Sequence, residues 1–256
     1  MNSIMYISMM AANRMLEKQA IIANNLANIS TLGFKEQLVT QTLSSINNSK
    51  LYKNDSIISE KNYLYSNFSS GPINYTKRNL DLSIKGNGWF VVKDYNSKHQ
   101  EGYTRNGHLK INSDGKLMIN NYLVMGTSGT ISLPKNKKIS ISSSGIIYLM
   151  DLKKEKIKNK ILGKLKLIDT DPKYLKRGNN GIFYLNKQGR KKLGKVIPDN
   201  HHIRLNSGML EDSNVNINEN LINMISNERS FSIEMKIISN DDENSQRANQ
   251  LLNINS

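Results

Sequence analysis

Apolar residues recur at helical spacing at the two ends of this chain and in short strand-like runs between them. Near the start, Met5, Met9, Ala12, Leu16, Ala23 and Leu26 fall close to a 3.5-residue repeat, with Gln19 breaking the row and Arg14, Glu17 and Lys18 on the other side. The spacing predicts a helix within 1–35 that closes on Ala23-Asn24-Asn25-Leu26-Ala27-Asn28, with Ser30-Thr31 or Gly33 as its stop. Ala11, Ala12, Ala20, Ala23 and Ala27 leave room for a partner helix to approach. Near the end, Ile217, Leu221, Met224, Phe231, Met235, Ile238 and Leu252 predict a longer helix over about 216–254, capped at Asn216 with Glu219 three residues on. Glu228, Asp242, Ser245 and Asn249 interrupt that row. A seam this impure makes a weak coiled coil alone and suits a helix completed by neighbours.

Between the ends the period changes to two. Trp89-Phe90-Val91-Val92, His108 to Asn112, Lys138 to Ser142, Lys164 to Ile168 and Gly181 to Leu185 are short strands set off by Gly, Asn and Asp turns. Residues 36–74, rich in Ser and Asn, read as a linker, extended or loosely ordered. The expected division is therefore a helix with its closing signature (1–35), a linker (36–74), a central β domain (75–206) and a terminal amphipathic helix (207–256). The fold class expected is α+β: the N- and C-terminal helices pair as a coiled-coil-like unit beside a central antiparallel all-β domain.

Charge changes this picture only locally. The 256 residues carry a net +15 and no Cys, which removes disulfides and thiolate metal sites. Residues 150–195 hold fifteen Lys/Arg against four acids, net +11, whereas 207–256 hold three against eight, net −5. Joint enrichment in Lys, Asn and Ile is what A+T-rich coding produces, so the basic excess is weak evidence for a nucleic-acid partner. That alternative, a basic nucleic-acid-binding β protein with a helical dimerisation element, rests on the +11 segment and on Tyr148, Tyr174 and Tyr184. Met1-Asn2-Ser3-Ile4 has no positive n-region, and no cleavable signal peptide is expected.

Candidate chemistry is sparse. The adjacent pair His201-His202 lacks a third ligand, and Gly86-Asn87-Gly88 precedes a strand and lacks the third glycine of a nucleotide loop. No catalytic, metal or cofactor residue is expected. Asn24, Asn25 and Asn28 are costly near a helix end unless they make specific bonds, and Asn214 invites the same argument at the other junction.

Four stretches in order carry a resemblance. Ala23 to Asn28 with Thr31, Gly33, Phe34 and Lys35 resembles the N-terminal signature of bacterial flagellar rod and hook proteins. Tyr75 to Ile84 followed by Gly86-Asn87-Gly88-Trp89-Phe90, Tyr103-Thr104-Arg105-Asn106-Gly107, and Gly208 to Val215 are similar to that family's later signatures. The ending Asp242 to Leu252 and the Trp at 89 resemble its proximal-rod members. Leu32 and Asn121 depart from the pattern; Asn121 stands for a turn glycine. The resemblance implies a structural subunit of the basal-body rod, exported through the flagellar type III apparatus and assembled in the periplasm. Its partners would be other copies of itself and other rod proteins, with no small-molecule substrate and no cofactor. Its assembly residues would be Met5, Met9, Ala12, Leu16, Ala23, Asn24, Asn25, Leu26, Asn28, Gly33, Phe34, Asn214, Leu221, Met224, Phe231, Met235 and Ile238.

Overall fold

The structure, a computed structural model, describes residues 3–46, 57–94, 101–134, 138–150 and 160–253. The chain divides into two compact units: 1–29, 36–67 and 215–256 form one, and 30–35 with 68–214 form the other. N- and C-terminal helices and a central antiparallel β region make it an α+β protein.

In the first unit, α1 (Ser3–Ala27) runs 25 residues without Gly or Pro. It stops where Asn28 N turns back onto the carbonyls of Asn24 (3.2 Å) and Asn25 (3.1 Å), ahead of the Ser30 and Gly33 stops expected from sequence. The stretch read as an extended or loosely ordered linker contains a strand pair. Strands β1 (Gln37–Ile46) and β2 (Ile57–Ser66) pair antiparallel in continuous register from Gln37↔Ser66 to Ile46↔Ile57. Leu38-Val39-Thr40 carries the β-branched residues that favour a strand, but without a period-two alternation, and the Ser- and Asn-rich stretches around it read as loop. Asn47-Asn48-Ser49 lies outside the described residues.

Among its described residues the second unit holds sixteen short strands: β3 (Ile73–Tyr75), β4 (Leu82–Lys85), β5 (Trp89–Lys93), β6 (Glu101–Thr104), β7 (Leu109–Ile111), β8 (Leu117–Ile119), β9 (Tyr122–Gly126), β10 (Gly129–Thr130), β11 (Lys138–Ile141), β12 (Ile146–Met150), β13 (Lys160–Lys164), β14 (Leu167–Ile168), β15 (Leu175–Arg177), β16 (Phe183–Leu185), β17 (Arg204–Ser207) and β18 (Met209–Glu211). A short helix, α2 (Lys187–Leu193), follows β16. The largest sheet has the order β15-β16-β6-β5-β9-β8-β7, with β14 beside β5 and β10 beside β9; β11-β12-β13 form a second sheet. Strand β5 reads as an unbroken apolar run because both its faces are covered. Phe90 and Val92 enter a cluster with Leu82, Leu117 and Leu167, while Trp89 and Val91 enter another with Tyr103, Ile168 and Phe183. Phe68 and Phe183 meet the Trp89 ring at 5.7 and 5.0 Å, so Trp89 is core. Tyr184, one of the three tyrosines on which the nucleic-acid alternative rests, is also buried. At the β8–β9 turn the left-handed residue is Asn120 (φ 51°), not Asn121. The Lys153–Lys160 run lies almost wholly outside the described residues.

The chain ends in α3 (Ile217–Asn253), which belongs with α1 in the first unit. Asn216 Oδ1 accepts from Glu219 N at 3.3 Å, the first half of the expected capping pair.

Candidate functional site

Two groupings hold the residues singled out by the sequence. One is the seam of α1 and α3 in the first unit. The helices run antiparallel: Asn220, early in α3, meets Asn25, late in α1, and Asn227 Nδ2 donates to Met15 O (2.8 Å) and Gln19 Oε1 (2.9 Å). Ser8, Ala12, Met15, Gln19, Ile22 and Asn25 of α1, and Asn220, Met224, Asn227, Phe231, Glu234 and Ile238 of α3, are among the buried or half-buried residues. Their spacing is three or four throughout.

The predicted rows fall partly on this seam and partly outside it. Ala12 and Asn25 are buried, and Met5, Leu26, Asn28, Met224, Phe231 and Ile238 are partly buried. Met9 (51 % exposed), Leu16 (52 %), Leu221 (44 %) and Met235 (46 %) face outward, and so do Ala23 and Asn24. The predicted rows assumed an apolar seam. Here Asn25, Asn220, Asn227 and Gln19 occupy inner positions because they satisfy one another, and the register moves by about one residue. Gln19, taken as a break in the row, is a member of it.

Asn25 has a second task. Its Nδ2 donates to Gln37 O (2.8 Å), and its Oδ1 accepts from Gln37 N (2.9 Å). One amide thus serves both backbone groups of the residue that opens β1. Asn220 Nδ2 donates to Glu36 Oε1 (2.8 Å) beside it. Asn28 Nδ2 donates within its own helix end, to Asn24 O (2.9 Å).

The other grouping lies inside the β unit, where the sequence signatures converge on a buried carboxylate. Glu211, 1 % exposed, takes Lys35 Nζ at 2.6 Å on Oε1 and has Arg105 Nη1 at 3.7 Å from Oε2. Gly71 N also donates to Oε1 (3.1 Å), and Lys35 Nζ makes a second bond to Ser69 O (2.7 Å). Burial pushes the Lys35 ammonium and the Arg105 guanidinium below their usual ranges, against the opposing pull of Glu211. Arg105 Nη2 donates to Gly86 O (2.7 Å). Gly33 N donates to Glu211 O (2.8 Å), and Asn214 Nδ2 to Ser69 O (3.0 Å). Arg177 lies 4.1 Å over the Phe34 ring while its Nη1 donates to Lys35 O (3.1 Å).

Two glycines are required by this crowding. A Cβ on Gly33 (φ 66°) would sit 2.4 Å from Asn106 N, and one on Gly107 would sit 1.6 Å from Leu82 O. Gly33 therefore serves a close backbone approach and not a helix stop. Lys35, Arg105 and Glu211 stood inside the quoted motifs, yet nothing local marks three residues so far apart in sequence as one cluster. Among the described residues no group of three or more His, Cys, Asp or Glu is placed to hold a metal, and no helix is long and apolar enough to cross a membrane.

The motifs are thus spent on fixing how the chain enters and leaves its β unit, as in a structural protein. Comparison with known proteins carries this further. Residues 5–35 match the model for flagella basal body rod proteins, 83–149 the flagellar hook protein FlgE/F/G D1 domain, and 206–251 the C-terminal region of flagellar basal body rod FlgEFG proteins. The flagellar basal-body rod protein FlgF of Buchnera aphidicola subsp. Schizaphis graminum is 46% identical over 257 residues, covering 100% of both chains. FlgF of Salmonella typhimurium is 34% identical over 99% of this chain and 100% of its own. The rod protein FlgG of Buchnera aphidicola subsp. Baizongia pistaciae is 30% identical over 90% and 92%. The chain belongs to the flagellar basal-body rod protein family, with its stronger likeness to these FlgF members. It is a structural component of the flagellar basal body and not an enzyme, and the nucleic-acid alternative gains nothing from these comparisons.

Proposed function

We propose that the chain is a subunit of the proximal rod that self-assembles through its terminal helices. In this reading α1 and α3 pair as a coiled-coil-like unit, and their remaining apolar faces are completed by other copies and by other rod proteins. Non-closing, head-to-tail contacts would extend such units into a tube, with the β unit spacing them. Delivery would be through the flagellar type III apparatus, and assembly periplasmic.

The observation that carries the reading is what the helices leave uncovered. Tyr6, Ile7, Met9 and Leu16 on α1 and Ile217, Leu221, Ile222, Ile225, Ile233, Met235 and Ile237 on α3 are all exposed in the single chain. That is more large apolar side chains than a helix pair leaves in water without a partner. Burying each is worth about 1.5–3 kcal/mol, enough for several together to offset the ordering of a helical segment.

Met9→Asp and Leu221→Asp test it in a strain that depends on this protein. Both variants should leave the purified protein's melting unchanged, yet be missing from isolated basal bodies and abolish motility. Wild-type incorporation of both would overturn the assembly mechanism.

A further inference from the structure

A cleft of about 1110 Å³ opens on the β unit where the edge strand β15, strand β16 and helix α2 meet. Its floor is fixed. Tyr184 Oη donates to Asp94 Oδ2 (2.6 Å), and Asn180 Nδ2 donates to Tyr184 Oη (2.7 Å) and Tyr122 Oη (3.0 Å). Burial, reinforced by the Asp94 bond, pushes the Tyr184 phenol up to about 12, so it stays a donor at neutral pH. Asp94 is therefore engaged within the floor.

The walls have the opposite sign. Lys176, Arg177, Lys187 and Arg190 line the cleft. Lys176 stands opposite Tyr184 in the β15–β16 register, and Lys187 opens α2 behind the Asn186 cap. From Lys173 to Lys195 there are eight Lys/Arg and no Asp or Glu. Coding bias raises Lys everywhere, but it does not gather four cations around one concavity whose carboxylate is already bonded. Arg177 is anchored by Lys35 O and Phe34, and Arg190 by its Nε bond to Leu185 O (3.0 Å). Two of the four cations are thus held in place before any ligand arrives.

We infer that this cleft is a docking site for an extended, carboxylate-rich peptide segment of a neighbouring chain. The match is one of charge and shape: a cationic trough beside a sheet edge takes an extended acidic strand, with carboxylates on Lys176 and Lys187 and backbone along the Tyr and Asn floor. The inference does not depend on the rod reading, because it concerns binding by the purified protein alone.

The test is fluorescence anisotropy of a fluorescein-labelled hexaglutamate peptide titrated with the full chain. Binding should weaken about tenfold in the double variant Lys176→Glu/Lys187→Glu, and by a smaller factor in Lys176→Gln/Lys187→Gln. Lys191→Glu/Lys192→Glu changes the net charge equally on the same helix but outside the cleft, and should keep affinity within about twofold of wild type. Equal losses in the two Glu double variants would reduce the effect to general electrostatics and overturn the site, as would no binding by the wild type. Phosphatidylglycerol vesicles that bind with the same dependence on Lys176 and Lys187 would also overturn it, in favour of an anionic lipid surface.

Discussion

At the scale of single residues, the governing fact is that Glu211 serves two buried cations. Removing its charge leaves Lys35 and Arg105 facing each other in the interior, and loss of one partner from such a group costs about 3–5 kcal/mol. Glu211→Gln should therefore unfold the β unit at much lower denaturant than Lys35→Met, which leaves Glu211 with Arg105 and Gly71 N and should cost about 1–3 kcal/mol. Urea titrations of both variants, followed by Trp89 fluorescence, give the comparison; equal midpoints would mean that the cluster is not charge-coupled. Asp81 gives a second residue-level prediction. It is 1 % exposed, with His108 Nδ1 at 2.7 Å and Arg78 Nε at 2.8 Å. Burial alone would raise its pKa, but bonds from Thr76, His108 and Arg78 together hold it below the ordinary 3.8. A carboxylate depressed on folding stabilises the fold above its unfolded value and loses that contribution as pH falls through the folded one. The stability gap between wild type and Asp81→Asn should accordingly be about 1–3 kcal/mol at pH 5–7 and close below pH 3.8. A gap independent of pH would show that the Asp81 charge is not what matters.

At the scale of elements, sequence and structure agree on the terminal helices and the strands of the β unit, and differ on the hairpin and on which helix face points where. Both terminal helices were legible from their period, and the strands of the β unit from Gly and Asn punctuation around runs such as Trp89 to Val92. The seam register was not, because a reader looks for apolar rows and this seam is built with Asn25, Asn220, Asn227 and Gln19. The β1–β2 hairpin was not, because its strands carry Gln, Thr and Ser. Its opening residue is fixed by the Asn25 amide, a partner twelve positions away. The buried cluster was only half legible, since its members fall in visible motifs but its geometry depends on contacts such as Lys35 to Glu211, 176 positions apart. The two registers make opposite claims about a pair of α3 residues. Asn227→Ala removes bonds to Met15 O and Gln19 Oε1 and should destabilise the helical unit by about 1–2 kcal/mol. Met235→Ala, at an exposed position, should change stability by no more than about 0.5 kcal/mol. Reversal of that order in urea melts followed by helical circular dichroism would restore the register predicted from sequence.

At the scale of the whole molecule, the two units interleave along the chain: residues 30–35 belong to the β unit although they lie between α1 and the hairpin. The β unit is therefore discontinuous in sequence, and its first piece carries Phe34 and Lys35. The hairpin that interrupts it begins and ends at one place, because Asn67 N donates to Glu36 O at 2.8 Å. Residues 37–66 should therefore be replaceable by a short Gly/Asn turn without pulling Lys35 away from Ser69. A fragment spanning 30–214 with that replacement should melt in one cooperative transition. A fragment of 68–214 alone lacks Lys35 beside Glu211 and both supports of Arg177, and forfeits about 2–4 kcal/mol of paired and stacked contacts. For a unit of this size that corresponds to melting on the order of 5–15 °C lower. Calorimetry on the two fragments decides the matter. Equal melting temperatures would show that the entry segment decorates a finished β unit, whereas the expected gap makes residues 30–35 a structural part of it and explains why the N-terminal signature extends past the end of its helix.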